Sequence, residues 1–354
     1  MPMRLISGDR PRSAVLTVVL LAILAGLALA PFLFPGTRSL ETAARICIFI
    51  VLVASYDLLL GYTGIVSFAH TMFFGIGAYG VAIALEATGP SWSAIALGTV
   101  SGLVVAAALA FVIGLFSLRV QAIFFAMVTL AVASAFAVLV SQLPGLTGGE
   151  DGLSYRIPRV LTPAFRLMDE RLFGVRLDGR ILAYYFVFGV SLMLFAVMLR
   201  VVNSPFGRVL QAIRENAFRA EAIGYRVVYY RTLANCLAAA AAALAGVQIA
   251  IWLRYTGPAT TLSFEIMIDI LLIVVIGGMG TMYGAVIGAT LFIIAQNYLQ
   301  NLMGVAAEAT AGIPIVSGIL HPDRWLLWLG LLFILSVYLF PTGIVGRLRE
   351  RAAP

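Results

Sequence analysis

Few side chains in this 354-residue sequence are equipped for chemistry, and their types narrow what chemistry is open. All 23 basic residues are Arg. Without Lys, a P-loop ATPase, a Schiff-base enzyme and a Lys nucleophile are excluded, because each needs the amine. Cys47 and Cys236 both sit in apolar runs, which supports neither a disulfide framework nor a thiolate metal site. His70 and His321 lie far apart with no Cys cluster beside them, so a zinc site has little support. No spacing resembles a nucleophile–base pair or a catalytic pair of carboxylates, and no enzyme, cofactor or metal is expected.

The ionisable residues inside apolar runs carry more weight, because burying them costs energy unless they are paired or wetted. They are Asp57, His70 and Asp269, with Glu86 and Glu265 nearer to run ends. His70 follows Ser67 by three positions, which would put both on one helix face. It reads either as a satisfied packing residue or as part of a polar path. Asp57 and Asp269 could pair with Arg45, with Tyr hydroxyls or with backbone, or they could line such a path. Gly75, Gly77 and Gly80 match the dinucleotide pattern G-x-G-x-x-G, but no strand precedes them and a phosphate site belongs in water. Close helix packing is the better reading, and Gly280, Gly284 and Gly288 repeat it as overlapping G-x-x-x-G steps. The alternative is that broken or closely packed helices line a passage.

The elements that position these residues follow from composition. The chain is 62% hydrophobic and 11% charged, against roughly 45–50% and about 25% in soluble domains. This is an all-α polytopic membrane protein, since unpaired backbone cannot face lipid and no barrel-type alternation is present. A bilayer core needs roughly 20 apolar residues per helix. Ten runs qualify: 13–34, 41–60, 64–86, 92–117, 120–141, 181–202, 231–253, 262–279, 282–300 and 325–341. They form a single transmembrane unit over residues 1–354. Arg4, Arg10 and Arg12 precede the first run, which could suggest a signal peptide. Its length and Pro31 after Ala28-Leu29-Ala30 favour a retained helix.

With the N-terminus in the cytoplasm, the inner side holds Arg4, Arg10, Arg12, Arg119, the arginines of 200–231, Arg347, Arg349 and Arg351. The short outer loops hold only Arg38, Arg45, Arg254 and Arg324. The long 142–180 loop adds arginines outside, which narrows the asymmetry without reversing it. Both termini are then cytoplasmic. Trp92, Trp252, Trp325 and Trp328 fall near span ends, as interfacial residues do.

The inner loop 203–231 is the most informative stretch. Ser204 can cap a helix and Pro205 suits its first position. Phe206, Leu210, Ile213, Ala217 and Ala220 would form one apolar stripe, Glu215 and Arg219 an i,i+4 pair, and Gly224 the stop. Three readings stay open: a solvated connector, a helix lying on anionic lipid, or a docking helix with its stripe in a partner's groove.

Four ordered segments carry a resemblance. They are Leu60-Gly-Tyr-Thr-Gly-Ile-Val-Ser-Phe-Ala-His70 with Phe73-Phe-Gly-Ile-Gly-Ala-Tyr79, then Leu146-Thr-Gly-Gly-Glu-Asp-Gly-Leu153. Next come Ser204-Pro-Phe-Gly-Arg208 with Ala212-Ile-Arg-Glu-Asn216 and Ala220-Glu-Ala-Ile-Gly224, and finally Ile276-Gly-Gly-Met-Gly-Thr-Met-Tyr-Gly284. Together, over residues 40–345, they resemble bacterial branched-chain amino acid ABC transporter permeases of the LivH/LivM type. The 142–180 loop, with its Pro158-to-Arg180 insertion, is closer to LivM. The resemblance implies the ten-helix importer fold of vitamin and ribose permeases, in a bacterial inner membrane. It implies a second, LivH-like permease, two cytoplasmic ATPase subunits that bind the ATP, and a periplasmic solute-binding protein. It implies that Arg208, Arg214, Glu215, Asn216, Arg219, Glu221 and Gly224 couple to the ATPase. Glu221 and Ala222 stand closer to Gly224 than the general importer signature has them. Tyr62, Ser67, His70, Asp57 and Asp269 are the residues expected to line or support the path. The implied cargo is leucine, isoleucine or valine. Urea, short amides or aromatic carboxylates are alternatives within the same machinery, and an ion-coupled transporter or channel is the alternative of another class.

Overall fold

The computed structural model describes residues 13–33, 36–117, 122–172, 175–310 and 321–350. Arg4, Arg10, Arg12, Arg119 and Arg351 of the orientation argument lie outside them. Among the described residues ten helical segments are long and apolar enough to cross a membrane. They correspond in order to the ten runs, with shifted edges. In chain order the main helices are α1 (Ala14–Leu33), α2 (Thr37–Thr63), α3 (His70–Thr88), α4 (Trp92–Ser117), α5 (Ala122–Ser141) and α6 (Gly179–Val202). After them come α7 (Pro205–Glu215), α8 (Ala217–Ala222), α9 (Val227–Leu253), α10 (Phe264–Gly277), α11 (Met282–Ala309), α12 (Trp325–Leu339) and α13 (Gly343–Glu350).

Helices α2, α3 and α9 form the centre, with α4 packed on α3 and α9 and with α10 and α11 on the other flank. Small residues permit this closeness. A Cβ on Gly77 would overlap the Ala243 carbonyl, and one on Gly80 the Gly98 carbonyl. Gly75 accommodates the Leu262 side chain, while Gly284 and Gly288 let α11 lie against the backbone of Gly277 and Ile273 in α10. Helices α1, α5 and α12 present long apolar side chains outward, as lipid-facing helices do.

The loops collect at two ends. One carries Gly64, from which residues 65–69 run back toward α3, with α7 and α8, the turn 278–281 and Gly343. The other carries the 142–178 segment, where β1 (Leu153–Ser154) pairs antiparallel with β4 (Tyr255–Thr256), and β2 (Arg166–Leu172) with β3 (Val175–Asp178). The first is the junction end and the second the hairpin end.

Two expectations about the spans need correction. The third helix starts at His70, not at residue 64. Gly64 takes a left-handed conformation (φ 72°) and closes α2, with Ile65 N–H reaching the Leu59 carbonyl at 3.2 Å. Residues 65–69 are therefore not helical, and Ser67 and His70 do not share a helix face. Gly280 lies in the turn between α10 and α11 with φ 77°, so it belongs to no G-x-x-x-G helix face.

Candidate coupling site

The segment expected as one helix over 204–224 is two. Ser204 Oγ accepts from Gly207 N–H at 3.4 Å and Pro205 opens α7. At Asn216 the backbone turns extended, and the Asn216 side chain accepts from Arg219 N–H at 2.9 Å to cap α8. Glu215 and Arg219 thus stand on different helices, and their i,i+4 pairing is lost. Gly224, with φ 98°, follows the end of α8, where Tyr225 N–H bonds the Ala220 carbonyl at 3.1 Å.

The break redirects the apolar stripe. Leu210, Ile213 and Ala220 are buried, and Phe206 stacks on Tyr230 with ring centroids 5.9 Å apart. The stripe packs on the chain's own α2 and α9 rather than facing a partner's groove. What faces out instead is Phe218, 80% exposed, and Ile223, 73% exposed. Around them Arg208, Glu215, Asn216, Arg219, Glu221 and Gly224 are exposed as well. Phe218 and Ile223 escaped the sequence reading because they lie off the stripe, and only the Asn216 break makes them the presented face.

Arg214 behaves differently from its neighbours. Its aliphatic stem crosses Gly64, and its guanidinium donates to the Gly61 carbonyl at the end of α2. It lies against Gly280, where any Cβ would meet Nη1 at 2.8 Å. The Gly280 N–H in turn donates to Asp57 Oδ1 at 2.9 Å. Asp57 is buried, and its Oδ2 makes no hydrogen bond to a described residue. So Arg214, Gly61, Gly280 and Asp57 form one junction of the 203–226 loop, α2 and the α10–α11 turn. Backbone, not Arg45, is the partner of Asp57, since Arg45 pairs with Glu41 at 3.2 Å. Gly61 also escaped the sequence reading. A Cβ there would overlap both Asp57 Oδ1 and the Gly280 nitrogen.

The remaining path candidates are not brought together at this junction. His70 is fully buried at the start of α3, with Nε2 2.8 Å from Ser55 Oγ and its ring edge-on to Tyr56. Ser55 donates its proton to the Leu52 carbonyl at 2.7 Å, so Nε2 must be the donor to Ser55 and Nδ1 the bare nitrogen. Tyr62 and Ser67 are buried. Asp269 is half-buried, accepting from Gln296 Nε2 at 3.3 Å. Neither these four residues nor Asp57 line the apolar groove of about 260 Å³ bounded by α1, α2, α6 and α11.

Comparison with known proteins gives a consistent result. The family described as "Branched-chain amino acid transport system / permease component" matches residues 39–337. The high-affinity branched-chain amino acid transport system permease protein LivM of Salmonella typhimurium is 27% identical over 304 residues, covering 80% of this chain and 69% of that protein. LivM of Escherichia coli is 26% identical over the same extent. LivH of Salmonella typhimurium is 22% identical over 320 residues, covering 89% of this chain and 94% of its own. No solved structure matches.

Proposed function

The chain belongs to the branched-chain amino acid transport system permease family, on the LivM side of it, and from that premise we propose that it is a membrane-spanning subunit of an ATP-driven importer of leucine, isoleucine and valine. It works in the bacterial inner membrane beside a LivH-like permease, with both termini and the junction end in the cytoplasm. Two ATPase subunits bind and hydrolyse the nucleotide, and a periplasmic solute-binding protein delivers cargo at the hairpin end.

The observation that carries the coupling half of this reading is the Arg214 junction. An ATPase that grips Phe218 and Ile223 in an apolar groove moves α7 and α8 together. Arg214 passes that movement to the end of α2 through Gly61 and to the α10–α11 turn through Gly280. Together with the apolar packing of α7 on α2 and α9, this side chain links the docking segment to two spans, as conversion of docking into alternating access requires.

Uptake of labelled leucine in cells expressing the complete system, read beside ATP hydrolysis by the purified complex, tests this. A hydrogen bond from a charged donor contributes about 1.5–3 kcal/mol. Arg214→Ala is expected to lower uptake roughly tenfold or more while ATP hydrolysis continues. Wild-type uptake in that variant would refute the junction as the transmission element. Competition by urea, acetamide or benzoate, with none by valine, would reassign the cargo.

A further inference from the structure

We infer that the protomer face bearing Phe68, Phe264 and Asp269 lines the water-filled passage, that the two rings form its constriction, and that Asp269 receives the ammonium group of the cargo. The ammonium assignment rests on the amino-acid reading above; the passage assignment stands on the fold alone.

His70 pairs with Ser55, which stands eight residues before the last residue of α2, Thr63. At 1.5 Å per residue this is roughly 12 Å along the helix. Residues 64–69 therefore turn back into the bundle before α3 begins. From the opposite end, residues 254–263 descend until Leu262 packs on Gly75 of α3. The two interrupted stretches meet where the Phe68 and Phe264 rings lie 6.2 Å apart. Helix α10 starts at that contact and ends in the turn whose Gly280 is bonded to Asp57, itself roughly 9 Å inside the end of α2. Both ends of α10 are thus pinned inside the bilayer thickness, and Asp269 lies between them.

Such a face cannot look onto lipid. Non-helical backbone at membrane depth is tolerated only where protein buries it or water wets it. Yet Phe264 is 53% exposed on this protomer, and Val66, Phe68 and Ser263 are partly exposed. The Phe68 N–H is held by Thr129 Oγ1 of α5 at 3.0 Å, so the interrupted stretch is built in rather than loose. A carboxylate facing lipid at helix-centre depth costs at least about 2.5–3.5 kcal/mol. Asp269 is partly exposed there, with the Gln296 amide as its hydrogen-bond donor and Glu265 as its acidic neighbour. No cation among the described residues faces it. Water plus a cationic ligand group satisfies every one of these observations, and the second permease closes the passage from the other side. Interrupted helices meeting near the midplane are also how membrane transporters build substrate sites.

The test uses cells expressing the complete transport system, with Cys47→Ala and Cys236→Ala as background. Phe264→Cys and Asp269→Cys are probed with membrane-impermeant cationic and anionic thiol reagents. Ile334→Cys, on a residue 64% exposed on α12, is the lipid-facing control. The passage reading expects modification at 264 and 269 roughly tenfold or more faster than at 334. Rates equal to the control at both positions would overturn it. At Phe264→Cys the cationic reagent should react about tenfold faster than the anionic one, and Asp269→Asn should erase that preference. An unchanged preference would overturn the role of Asp269. Leucine uptake should fall about tenfold in Asp269→Asn and return in Asp269→Glu; failure of Glu to rescue counts against charge recognition. A system that labels as expected but imports no leucine would sink the amino-acid reading and leave the passage intact.

Discussion

The two ends of the bundle are held in different ways. At the hairpin end, β1 and β4 pair through backbone, and Tyr155 ties them to α9 by donating to the Ala250 carbonyl at 2.9 Å. Burial pushes the Tyr155 phenol above its ordinary range, so it keeps its proton, and Thr256 Oγ1, 2.9 Å away, must donate to it in turn. At the junction end the described residues form no ladder. One long side chain, Arg214, spans from α7 to Gly61 and Gly280, and one carboxylate, Asp57, holds the turn from inside. The β1–β4 pair and Tyr155 tie loop to loop and loop to α9, whereas the guanidinium, beside the apolar packing of α7 on α2 and α9, adds a polar link from α7 to the α10–α11 turn. The junction end is therefore where a movement outside the membrane can act on named spans.

The comparison breaks most visibly at Gly280. A β-branched residue there meets a left-handed φ of 77° and collides with Arg214. Strain of about 1–3 kcal/mol joins the loss of the Arg214 contact. Gly280→Val is expected to abolish leucine uptake, with the chain still in the membrane fraction on immunoblots. Retained uptake would mean that the turn tolerates displacement of Arg214 and that the end is not a transmission point. Next in size is Glu215→Arg, a charge reversal on the exposed face beside Phe218. Uptake should be lost without a drop in membrane levels, and normal transport would count against docking at this face.

How much of this was readable in the sequence follows from what each feature depends on. Span number and order were legible, because the bilayer imposes a length on each apolar run. The interruption at 64–69 was not, because Ile65, Val66, Phe68 and Ala69 are as apolar as a helix interior. Gly64 hinted at a stop, but Gly is also common within membrane helices. Asp57 was legible as a cost and not as a partnership, since its donor lies 223 residues away. The stripe of α7 was legible as amphipathic, yet periodicity does not say whether the chain itself or another protein covers it. Only the Asn216 break decides that, and an Asn followed by Ala-Phe-Arg reads equally well as a continuing helix.

His70→Ala is the intermediate case. It removes the bond to Ser55 and leaves a small cavity at the start of α3, costing about 1–3 kcal/mol with Ser55 left short of a partner. Uptake should fall less than in Glu215→Arg, with a lowered melting temperature in detergent as the main effect. If uptake instead vanishes while ATP hydrolysis continues, His70 takes part in the path directly.

The smallest expected change belongs to the hairpin end. Tyr155→Phe keeps the ring that fills the space beside Thr256 and removes only the hydroxyl. The Ala250 carbonyl already receives Arg254 N–H at 2.9 Å, so it is not left bare, and Thr256 loses one acceptor. The cost should be about 0.5–1.5 kcal/mol, visible as a modest downward shift in melting temperature. Uptake should stay within about twofold of wild type, because the β1–β4 ladder keeps the end in place. A large transport defect at unchanged stability would erase the contrast between the two ends. It would show that force, or cargo, is also gated through the contact between the 142–178 segment and α9.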